Sequence, residues 1–166
     1  GSNFDDWSAF TGNLNSYGLS FGAQADGGID GSKALHLTGQ VAKNAYAFTA
    51  KVPKDFSTVG KSKIEFYIKG TSSAKSLSLN VYTGTGDVMG TDYMCYNLGE
   101  YITPTILHPT KSNAYGKVLD TGGEWWKVTL DISTLTVNSK EGDNLFALKV
   151  GNLSDYDLLV DNITIE

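Results

Sequence analysis

From Lys63 to Lys69 apolar and polar positions alternate without a break, Ile64, Phe66 and Ile68 against Glu65, Tyr67 and Lys69. The same happens in the stretch from Ser76 to Thr83, where Leu77, Leu79 and Val81 alternate with Ser78, Asn80 and Tyr82. A period of two marks a strand with one face in the core, and each of these strands carries a tyrosine on its polar face. Further strands are predicted over Tyr17–Gln24, Lys33–Val41, Ala45–Val52, Tyr93–Leu98, Trp125–Ile132, Leu145–Val150 and Asp157–Ile165. In the last of these, Leu159, Ile163 and Ile165 share their parity with Asp161. The pattern therefore predicts a carboxylate on the core side of a strand, where a charge needs a partner. Helix formers never gather into an amphipathic window. Glycine turns separate the strands, the clearest being Asp26-Gly27-Gly28-Ile29-Asp30-Gly31-Ser32, which lacks phosphate-loop spacing and leads into a strand. About nine to ten short strands punctuated in this way predict an all-β chain, a β-sandwich of antiparallel strands in two sheets. Gly99–Gly123, with two prolines and little periodicity, reads as a long functional or mobile loop.

Composition narrows the picture. The 166 residues suit one domain, expected to span 3–166, with Gly1-Ser2 reading as a remnant of cloning that leaves room for a trimmed signal peptide. Nineteen glycines, nine tyrosines, seven phenylalanines and three tryptophans against three prolines fit short strands joined by turns. Thirteen basic and eighteen acidic residues give a net charge of −5 with no basic cluster, which argues against nucleic acid or an anionic membrane as partner. No apolar run approaches the length of a membrane span. Cys95 is the single cysteine, so no disulfide or cysteine zinc site forms within one chain, and it reads as a small core residue.

The search for catalytic chemistry finds little. There is no nucleophile elbow, no HExxH and no cysteine-histidine pair, and His36, between Leu35 and Leu37, reads as an ordinary strand histidine rather than a metal partner of His108. A glycosidase needs two carboxylates about 5 to 10 Å apart. Of Glu65, Glu100, Glu124 and Glu141, only Glu65 falls clearly within a strand. Aromatics say more. Tyr67, Tyr82, Tyr93, Tyr101, Tyr115 and one of Trp125 or Trp126 fall on polar faces or in loops. Exposed rings flanked by amides and hydroxyls suit the apolar face and polar rim of a sugar. The alternative for any single tyrosine is that it is simply a good strand residue with its hydroxyl in solvent.

Taken in order, Asn3-Phe4-Asp5-Asp6, Gly31-Ser32-Lys33-Ala34-Leu35, Trp125-x-x-Val128-x-Leu130 and Val160-Asp161-Asn162-Ile163-Thr164-Ile165 resemble the jelly-roll carbohydrate-binding modules of plant cell wall hydrolases, families 4, 9 and 22. The resemblance covers almost the whole chain. It implies a structural calcium tying the first strand to the last, held by Asp5, Asp30, the carbonyl of Lys33 and Asp161. Where Asp5 stands the family usually has Glu, which leaves Asp6 as a substitute ligand. It also implies a glycan cleft gripped by Tyr46, by either Tyr93 or Tyr96, and by Lys149, with Trp125 as a structural residue, while Tyr115 and Trp126, from the set of rings above, are further candidate contacts. Parity objects to Tyr46, since it falls in step with Phe48.

The expectation is a monomeric, secreted or cell-surface, non-catalytic module. It would bind single chains of β-1,4-linked polysaccharide, xylan first and β-glucan second, and hold a linked glycoside hydrolase near its substrate. The alternatives are a small jelly-roll lyase or hydrolase and a structural or adhesive sandwich.

Overall fold

A computed structural model of the chain describes residues 4–6, 22–41, 45–73, 77–84, 92–98, 106–111, 118–151 and 154–166. The two alternating stretches form β4 (Lys63–Ser72) and β5 (Leu77–Tyr82), and Ile64, Phe66, Ile68, Leu77, Leu79 and Val81 are all buried as their parity demands. Around them lie β1 (Gly22–Asp26), β2 (Lys33–Val41), β3 (Ala45–Lys51), β6 (Tyr93–Asn97), β9 (Trp126–Asp131), β10 (Asn144–Val150) and β11 (Ser154–Ile165). The segment that reads as a long loop contributes two short strands, β7 (Ile106–Leu107) and β8 (Leu119–Asp120). Two residues are too few to show a period, which is why the pattern passes over them.

The described residues thus make an all-β jelly-roll sandwich of two sheets. One runs β1-β2-β11-β4-β9-β7 with β8 beside β4, and the other runs β3-β10-β5-β6. The chain crosses between the sheets after β2, β3, β4 and β6 and again on entering and leaving β10, so apolar side chains from both inner faces interdigitate. Phe48 and Phe146 meet edge to face inside the smaller sheet, with ring centroids 5.8 Å apart. All pairings are antiparallel except that of β7 with β9.

The last strand corrects one expectation. Val160 lies opposite Leu35 and Ile68, both in the core, so its neighbour Asp161 is on the other face of the sheet, with Leu159. A β-bulge follows: Asp161 pairs with Tyr67 but Thr164 with Glu65, and Asn162 takes a left-handed φ of 55°. The extra residue returns Ile163 to the core and breaks the uniform parity that the sequence shows from Leu159 to Ile165.

Asp161 is nonetheless fully buried, because the glycine turn between β1 and β2 folds over it. The fit is tight at Gly28, where a Cβ would come within 2.6 Å of Asp161 Oδ2 and 2.7 Å of the Ser32 carbonyl oxygen. Gly28→Ala should therefore destabilise the fold by about 1–3 kcal/mol through overpacking, read as a lower Tm in thermal unfolding. An unchanged Tm would show that the turn gives way freely.

Candidate functional site

The face of the smaller sheet turned away from the core is assembled by register. Lys149, next to last in β10, lies opposite Tyr46 on one side and Ser78 on the other, and Ser78 lies opposite Asn97. In the next row Ala147 lies between Thr49 and Asn80, with Asn80 opposite Cys95. In a third, Tyr82 faces Tyr93 across β5 and β6, their rings 5.7 Å apart and inclined by 66°. Burial, then the neighbouring Tyr46 hydroxyl and its hydrogen bond, push the Tyr82 phenol well above the usual tyrosine range. Tyr46, Tyr82 and Tyr93 therefore form one aromatic group, with Tyr46, Tyr93 and Asn97 only half-buried.

The floor is polar and closed. Ser78 and Asn80 are 0 % exposed, Thr49 4 % and Lys149 9 %. Ser78 Oγ, both amide atoms of Asn80 and Asn97 Oδ1 have no hydrogen-bond partner among the described residues. Leaving a buried polar group unsatisfied costs about 1–3 kcal/mol, and native structures keep few such groups without a reason. Four such atoms gather on one sheet face, all out of contact with solvent.

Tyr46 reaches this face through a β-bulge. Leu148 pairs with Phe48 but Lys149 pairs with Tyr46, so Ala47 is an extra residue on β3. The bulge reverses the parity between Phe48 and Tyr46, and simple alternation therefore sends Tyr46 to the wrong side.

Tyr96, Trp126 and Tyr115 stand elsewhere. Tyr96 is fully buried in the core, and its hydroxyl donates to the Asp131 carbonyl at 2.6 Å, so it has no ring face to offer a sugar. Of the pair left open by the sequence, Tyr93 is the one on the polar face. Trp126 pairs with Ile68 on the larger sheet and packs against the core. Trp125, expected to be structural, is half-buried and lies beneath the Lys69 ammonium, 5.3 Å from its ring centroid. Tyr115 lies outside the described residues.

Cys95 is fully buried, as expected of a small core residue, and stands opposite Asn80. Burial raises its thiol, and the charge of Lys149 partly offsets this, which puts the ammonium within electrostatic reach. Ser78, Asn80 and Tyr82 were readable as the polar set of β5, but nothing in the sequence showed that this set would be buried.

Glu65, the glutamate expected within a strand, lies on β4 of the larger sheet. Burial pushes the Glu65 carboxyl up, but hydrogen bonds from Lys127 and Lys63, each at 3.0 Å, outweigh it and hold the group ionised. His36 meets Asp157 at 2.8 Å and His108 meets Asp131 at 3.1 Å, so the two histidines serve separate carboxylates.

The residues that the resemblance implies for calcium meet at the glycine turn. Asp161 Oδ2 accepts from the Ile29 N–H at 2.9 Å, and Oδ1 from the Asn162 N–H at 2.7 Å. The Ser32 hydroxyl lies 2.7 Å from Oδ2 and 2.6 Å from the Ile29 carbonyl, its single proton shared between them. Asp5 Oδ1 accepts from the Lys33 N–H at 2.7 Å, and the Gln24 amide clamps the carbonyls of Phe4 and Asp5. Two carboxylates thus converge on the adjacent residues Ser32 and Lys33, while Asp30 is exposed, in the left-handed region at φ 53°. No group of three or more His, Cys, Asp or Glu placed to hold a metal ion occurs among the described residues. A cation here would rest on Asp5, Asp161 and nearby carbonyl and hydroxyl oxygens, hard donors of the kind calcium takes.

Comparison with known proteins finds no matching family model and no matching curated protein. Among solved structures the chain is similar to the family 11 carbohydrate-binding module of the cellulosomal cellulase Lic26A-Cel5E of Clostridium thermocellum. That match has a TM-score of 0.45 and 12 % identity, over 87 % of this chain and 80 % of that one. A family 11 module from Clostridium thermocellum in complex with a β-1,3-1,4-mixed-linked tetrasaccharide aligns over 92 % of this chain and 94 % of that one, with 11 % identity and a TM-score of 0.47. The K2 cleaved adhesin domain of Lys-gingipain aligns over 95 % and 96 %, with 15 % identity and a TM-score of 0.42. All three likenesses are distant.

Proposed function

We propose that this chain is a non-catalytic carbohydrate-binding module, taking a single β-1,4-linked polysaccharide chain across the outer face of β3, β10, β5 and β6. The observation that carries the reading is the set of four buried, unpartnered polar atoms on Ser78, Asn80 and Asn97, lying on the same face as Tyr46, Tyr82 and Tyr93. Amides and hydroxyls match the rim of a pyranose, and half-buried rings match its C–H face. The four strands contain no Asp or Glu, so they supply none of the paired carboxylates that glycoside hydrolysis requires.

Xylan as first ligand and β-glucan as second, a linked glycoside hydrolase as partner, and a monomer working outside the cell or at its surface follow from the likeness to families 4, 9 and 22. Calcium belongs to the same reading. Asp5 and Asp161, with the Lys33 carbonyl and Asp30, would hold it, and its charge would compensate the buried Asp161 carboxylate while tying the opening segment to β11.

Affinity electrophoresis in gels containing xylan, mixed-linkage β-glucan or no polysaccharide tests the reading, alongside an assay for released reducing ends. Retardation without product is the expected result. Migration unchanged in every gel would overturn it, and reducing ends would replace it with an enzyme.

Tyr46→Ala should weaken binding about ten- to hundredfold, the loss of one stacking ring at a hot spot. Because Tyr46 is half-buried, Tm should change little. A destabilised variant that still binds would make the ring structural.

A further inference from the structure

Two of the rings that the sequence places on polar faces, Tyr67 and Trp125, lie away from the smaller sheet, on the outer face of the larger one. Tyr67 stands between the core residues Phe66 and Ile68 and pairs with Lys127 on β9. Trp125 precedes β9 in step with Lys127, and its ring meets Lys69, two residues on from Tyr67. Its neighbour Trp126 packs against the core, whereas Trp125 and Tyr67 are only half-buried on the opposite face.

Register sets these rings beside two contrasting rows. Ala23, His36, Leu159 and Lys69 lie side by side on β1, β2, β11 and β4, and Trp125 closes the row under the Lys69 ammonium. With strands about 4.8 Å apart the row spans about 20 Å. Two residues along each strand, about 7 Å away, Thr38, Asp157, Thr71 and Asp120 form a second row, and all four are exposed. His36 Nε2 joins the rows through Asp157 at 2.8 Å.

A pyranose needs both kinds of surface, an apolar support for its C–H face and polar groups for its rim. Exposed hydroxyls can donate and accept, and exposed carboxylates accept from sugar hydroxyls. Lys69 and Lys127 offset Asp120 and Asp157, so the face selects neither an anion nor a cation. The group over the Trp125 ring is a lysine ammonium, whose hold on an aromatic face is weak where water reaches it. A sugar ring can take its place.

We infer that the outer face of the larger sheet is a second glycan site. It takes a neutral β-1,4-linked chain along the row that ends at Trp125, with Tyr67 flanking the chain on one side and Asp157, Thr71 and Asp120 bonding its hydroxyls on the other. No group of the smaller sheet takes part, so only the ligand class is shared with the reading above. The two faces look in opposite directions, and a module with both holds two chains at once.

Amide chemical-shift mapping with xylohexaose and with cellohexaose tests this. One group of perturbed residues should lie around Leu159, Lys69 and Trp125, and a separate group on β3, β5, β6 and β10. Trp125→Ala should weaken the first site about tenfold, the loss of a stacking ring, with the second group and Tm unchanged, and Trp125→Tyr should recover part of the loss. Light scattering should show wild type cross-linking long xylan chains and Trp125→Ala failing to do so. Shifts confined to the smaller sheet overturn this inference and leave the proposed function standing. Shifts confined to the larger sheet support it and overturn the smaller-sheet assignment. No shifts with either probe overturn both. Should Trp125→Ala prove unstable, Tyr67→Ala decides, and larger-sheet binding undiminished in that variant overturns the inference.

Discussion

Asp161→Ala should lower Tm by about 10 °C, a loss of about 3 kcal/mol in a chain of this size. The substitution orphans two backbone donors, the N–H groups of Ile29 and Asn162, and takes one acceptor from the Ser32 hydroxyl. All are covered by the turn that packs over a fully buried side chain, so water cannot replace the carboxylate without opening the turn. The turn is also where the opening segment attaches, through Asp5 and the Lys33 N–H, so its loosening should release Phe4 from the core. The loss should be present in EDTA, because the hydrogen bonds need no cation. Calcium should add a further rise in wild-type Tm by binding only the folded state, and that rise should vanish in the variant. Wild-type melting by Asp161→Ala in EDTA would show that the hydrogen bonds do not hold the turn. A calcium response retained by the variant would place the ion elsewhere.

Asn80→Leu should do the opposite to the fold and more to the function. Both amide atoms of Asn80 are buried without a partner, so a leucine of similar volume removes an unmet desolvation cost of about 1–3 kcal/mol. Tm should stay level or rise by several degrees, since each kcal/mol moves it about 2–4 °C, while glycan binding falls at least about tenfold, as for a site left without its polar partner. Such a stability–function opposition is the signature of a residue kept for a ligand. A sharp drop in Tm would mean that the amide serves the fold. Unchanged glycan binding would move the site off this face.

The two predictions differ because the two buried polar groups differ. Asp161 is buried and satisfied from within the chain, and Asn80 is buried and left unsatisfied. In sequence Asp161 is in step with apolar neighbours and Asn80 with the polar Ser78 and Tyr82, and neither parity tells whether the group finds a partner without knowing what lies across from it.

Lys63–Lys69 and Leu77–Tyr82 announce their strands, and their inner faces, because both run without a bulge and a strict alternation of side chains survives translation into three dimensions. That is why the all-β fold and the polar set Ser78, Asn80 and Tyr82 could be read directly, and why Tyr93, in step with Asn97, was legible as a face residue. Parity failed at Tyr46 and at Asp161 for a single reason. Each adjoins a bulge, at Ala47 and at Asn162, and one inserted residue turns the remainder of the strand over. A bulge is a compromise between the hydrogen-bond ladders of neighbouring strands, so its position is set by partners far away in sequence. Local composition thus determined which segments are strands and which of their faces are apolar. Only the pairing of β10 with β3 and β5, and of β11 with β2 and β4, decided that Tyr46, Ser78, Asn80 and Lys149 share one surface and that Asp161 lies under the glycine turn. Those neighbours exist only once strands from opposite ends of the chain have bonded.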